Sequence, residues 1–521
     1  MKQLSYVGLF VCLFLYSFQT NAQNKSNSQR VQELPPGHQL RSAFNGLPAQ
    51  AKAKAENWLN QLSIPEEDFN SLRIDNEGGV FYADSFEVNE TVGDASGMSS
   101  PEISEISAAN IFNLHSNPGA SKVVHLDFEG HVVSGTIWNN ETGQSTLNML
   151  PYDSNGDTGS FSTQEINDMA AIWHRVAEDF APFDIDVTTE VPTSYGPNVG
   201  HILITHRTDA AGNNIYPNSA GGVAYLNVWG ASNFEYYQPA LVFYNHLGSG
   251  NAHNVAEASS HELGHNLSLS HDGTNSGASY YNGHGTGFIE WAPIMGVAYS
   301  RHVSQWSKGE YNDANNTQDD LLRISQRLGY RNDDHSNSIS SATPIDIQAN
   351  GVVSSTNPEN DENNNSPENK GIIETRSDID MFSFYTTGGQ INLNITPAWA
   401  AFNYESNRGS NLDIKATLYD VGGNSMGEFS YADNTNALVS ATLTTGIYYI
   451  AIEGESSVKY GDYGSIGQFF LSGTIEGGGD IPTNIDPVAN FNTSITDRTA
   501  TFTDASSDSD LSLIHISDPT R

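Results

Sequence analysis

The sequence predicts a multidomain chain: an α+β domain carrying a mixed sheet and helices, followed by an all-β sandwich region. Three observations predict it. The length, 521 residues, exceeds one ordinary domain. Helical and strand spacings mix between about residues 119 and 331. Beyond Asp333, period-two strand patterns separated by Gly and Asn turns take over.

Residues 1–22 read as a secretory signal, with Lys2 as the positive start, Val7 to Tyr16 as the apolar run and Thr20-Asn21-Ala22 as the cleavage site. The run is about half the ~20 residues a bilayer span needs. No later segment is long and apolar enough to span either. Residues 23–118 are polar, with helix-like patches such as Ala51 to Leu62. They read as a propeptide, or alternatively as a surface extension.

Residues 119–331 form the predicted α+β domain. Ser121 to Phe128 alternates as a strand does. Phe161-Ser162-Thr163-Gln164-Glu165-Ile166 starts a helix: Ser162 and Glu165 make a capping box and Phe161 can staple onto Ile166. Apolar residues at Ile166, Met169, Ala170, Trp173, Val176, Ala177 and Phe180 continue it at helical spacing. Strands follow at Ile185 to Thr189, His201 to Thr205, Gly222 to Val228 and Ala240 to Tyr244.

Residues 332–476 carry the β pattern: Met381 to Tyr385, Ile391 to Ile395, Leu412 to Tyr419, Ile447 to Ile452 and Phe469 to Thr474. An acidic, Asn-rich loop, Pro358 to Lys370, interrupts it. Residues 477–485 read as a linker. Residues 486–510 begin a further β module, and 511–521 break its pattern as a non-native tail would.

Lys and Arg number 22 against 61 Asp and Glu, a formal charge of −39. Such a chain repels phosphate backbones and anionic membranes, which argues against a nucleic-acid partner. It suits an extracellular protein, with or without calcium held in carboxylate loops. The one cysteine, Cys12, lies in the signal segment, so the mature chain has neither disulfides nor thiolate chemistry.

The chemistry concentrates at Ser259 to Gly273. His261 and His265, four apart on a helix, share a face and can share a metal ion. Glu262 then lies beside the ion and can take a proton from a bound water, whose pKa zinc lowers to roughly 7. His271 can join only if the chain turns sharply after His265, where glycine is expected. The sequence has Ser268, at a cost of about 1 kcal/mol for a left-handed conformation.

This stretch resembles the metzincin superfamily of zinc endopeptidases, whose pattern is HExxHxxGxxH followed by a methionine turn. Asp272 after the third histidine is similar to the reprolysin-like (adamalysin-type) branch, and Val297 departs from branches with a tyrosine two residues after the methionine. The resemblance implies a metzincin-like catalytic domain built on a mixed sheet and an active-site helix. It implies one catalytic zinc on His261, His265 and His271, with Glu262 as general base. Met295 would be the structural methionine of the turn, and Asp272 a supporting residue behind the ligands. It further implies protein or peptide substrates, bound along an edge strand, for which Ala240 to Tyr244 is the candidate. His125 to His131, Ala181 to Val187 and Gln305 to Tyr311 are similar to bacterial secreted reprolysin-like proteases. The β region, especially Ser377 to Phe384 and Tyr460 to Gly464, resembles a pre-peptidase C-terminal domain. Pro487 to Phe491 with Ala500 to Asp504 resembles the start of a PKD-type module.

The expectation is therefore a secreted zinc endopeptidase made as a zymogen. The alternatives are a non-enzymatic extracellular binding or adhesion protein with a structural or inactive zinc site, and a hydrolase of non-peptide amides. Latency could not use cysteine; a carboxylate such as Asp68 or Asp75 could cap the ion. Asp153 to Asp157 alternates oxygen side chains but reads better as a turn than as a calcium loop, while Asp378 and Asp380 fit calcium or strand-edge solubility equally. His246, His253 and His284 read as surface residues rather than cleft residues.

Overall fold

The computed structural model describes residues 25–85, 106, 108–216, 219–355, 369–398, 409–479, 491–496 and 499–504. The expected signal segment, most of the acidic loop and linker, and the 511–521 tail lie outside them.

A seven-stranded mixed sheet organises the first half. Its strands are β1 (Leu72–Ile74), β2 (Val80–Asp84), β3 (Val123–Asp127), β4 (Asp186–Thr188), β5 (Val199–Thr205), β6 (Gly222–Tyr225) and β7 (Ala240–Phe243), in the order β1-β2-β6-β7-β5-β3-β4. The strands β4, β3, β5 and β7 run parallel, and β6, β2 and β1 continue the sheet antiparallel. Parallel strands are buried on both faces. The runs Val123–Asp127 and Val199–Thr205 are accordingly buried almost throughout.

Seven helices are described: α1 (Asn27–Glu33), α2 (Gln39–Gly46), α3 (Ala49–Leu59), α4 (Ile137–Thr142), α5 (Thr163–Asp179), α6 (Ala252–Asn266) and α7 (Asp320–Leu328). The helix α5 begins at the expected capping box: Glu165 N–H donates to Ser162 Oγ, and Ser162 N–H donates back to Glu165. Its apolar stripe packs on α6, and α6 packs on β5, β6 and β7. Asn251 caps α6 by accepting from Asn254 N–H.

Two expectations change here. Ala240 to Tyr244 is not an edge: β7 lies between β5 and β6. The neighbour β6 is interior too: β2, from the segment read as a propeptide, pairs its other side in the register Phe81↔Tyr225 to Asp84↔Gly222, and only without β2 and β1 would β6 be the edge. Residues 25–85 keep a small core of their own, including Val31, Leu40, Phe44, Leu59, Phe69 and Tyr82.

The β region contains β8 (Lys370–Ile373), β9 (Asp380–Pro397), β10 (Ile414–Tyr419), β11 (Ser425–Phe429), β12 (Ala437–Gly454) and β13 (Gly467–Ile475). A two-sheet sandwich is expected, yet the hydrogen bonding runs through one nine-stranded sheet. The reason is length. The strands β9 and β12 are 18 residues each and pair from Asp380↔Ile452 to Ile395↔Ala437. The positive φ of Gly388 and Gly389 marks the irregularity within β9. Residues 491–496 and 499–504 form a two-stranded antiparallel hairpin. No helix among the described residues is long and apolar enough to cross a membrane.

Candidate metal centre

The helix α6 places His261 and His265 one turn apart and both are buried. At its end the chain turns through Ser268, at φ 85°. The serine therefore adopts the left-handed conformation expected of glycine. The turn is braced: Ser268 N–H donates to the His265 carbonyl and Leu269 N–H to the Gly264 carbonyl. The Gln318 side chain donates to the Ser268 carbonyl and accepts from Ser270 N–H. Such braces offset the local backbone cost. His271 is thereby returned to the first two histidines, with His271 Nε2 3.2 Å from His265 Nε2.

Each ring is oriented by its other nitrogen. His261 Nδ1 meets the Ile294 carbonyl at 2.9 Å and His265 Nδ1 the Leu269 carbonyl at 2.8 Å. His271 Nδ1 lies 3.4 Å from Asp68 Oδ1. This is how second-layer partners fix the tautomer of metal-binding histidines.

The fourth member was not foreseen. Asp84, the last residue of β2, reaches into the cluster: its Oδ2 is 3.0 Å from His265 Nε2 and 3.7 Å from His261 Nε2, and its Oδ1 is 3.2 Å from His271 Nε2. One ligand atom from each of Asp84, His261, His265 and His271 lies within 4.8 Å of the others. Burial raises the Asp84 pKa, but His271 and His265 hold it well below the usual range. Burial lowers His271, yet Asp68 and Asp84 lift it to about 10. Of the two carboxylates considered from sequence, Asp68 backs His271 from behind and Asp75 bonds Tyr225 at 2.9 Å, away from the cluster.

Glu262 is buried beside this group. Burial, then the charge of Asp84, pushes its carboxyl well above the ordinary value. Space for it comes from Gly222 on β6: a Cβ there would sit 1.9 Å from Glu262 Oε1. Met295 packs beneath α6, where a Cβ on Gly264 would meet its sulfur at 2.6 Å. Asp272 joins the same loop through its N–H to the Met295 carbonyl. Its carboxyl is buried and raised, first by burial and then by Glu310 and Asp68. Tyr280, also not singled out from sequence, donates to Asp84 Oδ1 at 2.8 Å and lays its ring 4.5 Å from that of His271.

Other candidates resolve separately. Asp153 to Asp157 is a run of side-chain-to-backbone turns, Asp153 Oδ1 accepting from Asn155 and Gly156 N–H. Asp378 and Asp380 join Asp333 in a group within 4.8 Å, and both oxygens of buried Asp380 are without a hydrogen-bond partner. His253 is not on the surface: it is buried against Arg175 at 2.9 Å. His284 bridges Tyr281 and the Lys459 carbonyl.

No family model matches the chain, and no curated protein is a significant match. Among solved structures, the chain is similar to a pre-peptidase C-terminal domain of a collagenase from Bacillus anthracis. The identity is 12%, over 26% of this chain and 98% of that one, with a TM-score of 0.17. That likeness carries no argument about function. The metzincin resemblance rests on the histidine motif and its surroundings.

Proposed function

We propose that this chain is a secreted zinc-dependent endopeptidase made in a latent form. One observation carries the reading: three buried imidazoles turn their Nε2 atoms to a common point, beside the buried carboxyl of Glu262. The donor set fits zinc, since each ring is already oriented from its far nitrogen. His261, His265 and His271 would hold the ion, which would supply a Lewis acid that polarises the scissile carbonyl and acidifies water. Glu262 takes the proton from the attacking water and delivers it to the leaving amine. The side of β6 that β2 now occupies would pair with an extended substrate by strand addition.

Asp84 supports latency in two ways. It fills the position a substrate carbonyl and water would share, and its charge helps keep Glu262 protonated and thus useless as a base. Once residues 25–85 leave, both obstacles go, and Tyr280 is released to hydrogen-bond the substrate. The acidic group of Asp333, Asp378 and Asp380 supports calcium as a further, structural ion.

A second reading draws on the same aspartate. A zinc ion closed by four protein ligands is the form of a structural site. The two readings separate on the full chain nicked between residues 85 and 119 by a trace of added protease, then freed of that protease. The proposal expects chelator-sensitive cleavage of casein after nicking, and none in Glu262→Gln, whose zinc content is unchanged. A nicked chain that keeps its zinc, releases the N-terminal segment and cuts nothing would establish the structural reading instead.

A further inference from the structure

The face of the central sheet around β3 and β5 carries a second polar cluster that the peptidase reading does not use. His125 and Asp127 are two apart on β3 and so project to one face. His201 stands opposite His125 on the parallel neighbour β5, in the register His125↔His201. The turn at Gly130, at φ 79°, runs so close to Met149 that a Cβ would lie 2.6 Å from its carbonyl oxygen. It brings His131 back over the same group.

Three imidazoles thus surround one carboxylate. Asp127 Oδ2 lies 2.9 Å from His201 Nε2 and 3.2 Å from His131 Nδ1. One ligand atom from each of His125, Asp127 and His201 lies within 4.8 Å of the other two. Tyr195 covers the cluster: its ring stacks on His201 at 4.2 Å and 7°, and its hydroxyl is 2.9 Å from His125 Nδ1. His125, Asp127 and His201 are 1%, 4% and 2% exposed. The His131 side chain is 33% exposed and, with Tyr195, His201 and Gln238, lines a cavity of about 500 Å³.

A buried sheet face is ordinarily apolar, and desolvating a carboxylate among rings is costly unless it is compensated. Nitrogen and carboxylate donors of this kind suit zinc and its neighbours. Bonds of about 2.0–2.1 Å place tetrahedral ligands about 3.4 Å apart. The 3.2 Å between His131 Nδ1 and Asp127 Oδ2 is near that value, while the 2.9 Å to His201 Nε2 is a hydrogen-bond distance that an ion would widen by about 0.5 Å. We infer that His125, Asp127 and His201, with His131 at the cavity rim, form a second divalent transition-metal site, distinct from the His261 cluster. It shares no residue with that cluster, and β7 and β6 lie between β5 and β2, which carries Asp84. His131, the ligand at the cavity rim, is the one that water or a small carboxylate entering the cavity could displace.

The test counts zinc on the full chain after equilibration with Zn²⁺ and desalting, by atomic emission. The double variant His261→Ala/His265→Ala, unable to fill the first site, is expected to retain one zinc per chain. Adding Asp127→Asn and His201→Gln to it should bring the count near zero, with an unchanged circular dichroism spectrum. A folded double variant without zinc overturns the inference and leaves a hydrogen-bonded His–Asp–His cluster. So does a count that Asp127→Asn and His201→Gln do not lower. If the double variant does not fold, the wild-type chain must hold two zinc ions and Asp127→Asn one; a single ion on the wild type is the overturning result. The count at this site is independent of whether the first site is catalytic.

Discussion

Residues 25–85 and residues 369–479 both pack against the central sheet and helices, and they do so with opposite chemistry. The N-terminal segment adds β2 to β6 and sends an ionised Asp84 among histidines, an arrangement of unlike charges. The β region meets the back of α5 and α6 at carboxyls whose pKa burial raises. Glu178, pushed up to about 8, accepts from the Gln468 backbone and side chain. Asp179, at about 7, accepts from Asn411 and Ser260. Beside them Glu257, raised to about 8 by burial and then by Asp179, accepts from Ser304 of its own domain and lies close to Gly409 of the β region. One attachment is centred on the candidate site and, on the proposed reading, would be broken on activation; the other is buried polar packing between residues 119–331 and the β region.

The largest expected effect comes from cutting the first attachment at its tip. Asp84→Ala in the unprocessed chain should raise basal peptide cleavage ten- to hundredfold, since a hydrogen bond to a charged group is worth about 1.5–3 kcal/mol. Unchanged basal cleavage, measured on a quenched fluorescent peptide, would mean that β2 blocks the site by pairing alone. Gly222→Ala comes next. Its Cβ overlaps the Glu262 carboxyl, so the nicked enzyme should lose most of its kcat while its zinc content holds.

The second attachment responds to pH. The native-state values of Glu178, Asp179 and Glu257 lie above their unfolded ones, so the folded form binds more protons between about pH 4.5 and 8. Their contribution to stability is full below that window and is lost as pH rises through it. Thermal melting should show the contact with the β region weakening from pH 5 to 8, and Glu178→Gln should flatten the slope. The smallest effect is at the turn between the last two histidines. Ser268→Gly should stabilise the chain by up to about 1 kcal/mol in urea unfolding by removing a strained φ.

Much of this was legible in the residues. Capping and spacing gave α5, and alternation gave β3, β5, β6 and β7 within a residue or two at most ends. The pairing of His261 with His265 followed from helix geometry, as did the need for a turn before His271; that His271 joins them was implied by the metzincin resemblance. Asp84 did not, because nothing local marks it: it is one acid among 61 Asp and Glu, and its position depends on a strand pairing across about 140 residues of sequence. The interior place of β7 was missed for the same reason. Sheet order is set by long-range contacts that strand propensity does not encode. Asp127 and His201 were hidden likewise, since only the parallel register of β3 and β5 makes them neighbours.

The antiparallel partnership of β2 with β6 has a consequence for how the chain must be produced. Stripped of residues 25–85, β6 would present a row of unsatisfied amides and carbonyls during folding, which is a template for another chain. On the proposed reading, residues 25–85 would also act as an internal chaperone. Expression of the remainder alone should yield inclusion bodies, and supplying residues 25–85 as a separate polypeptide should rescue soluble protein.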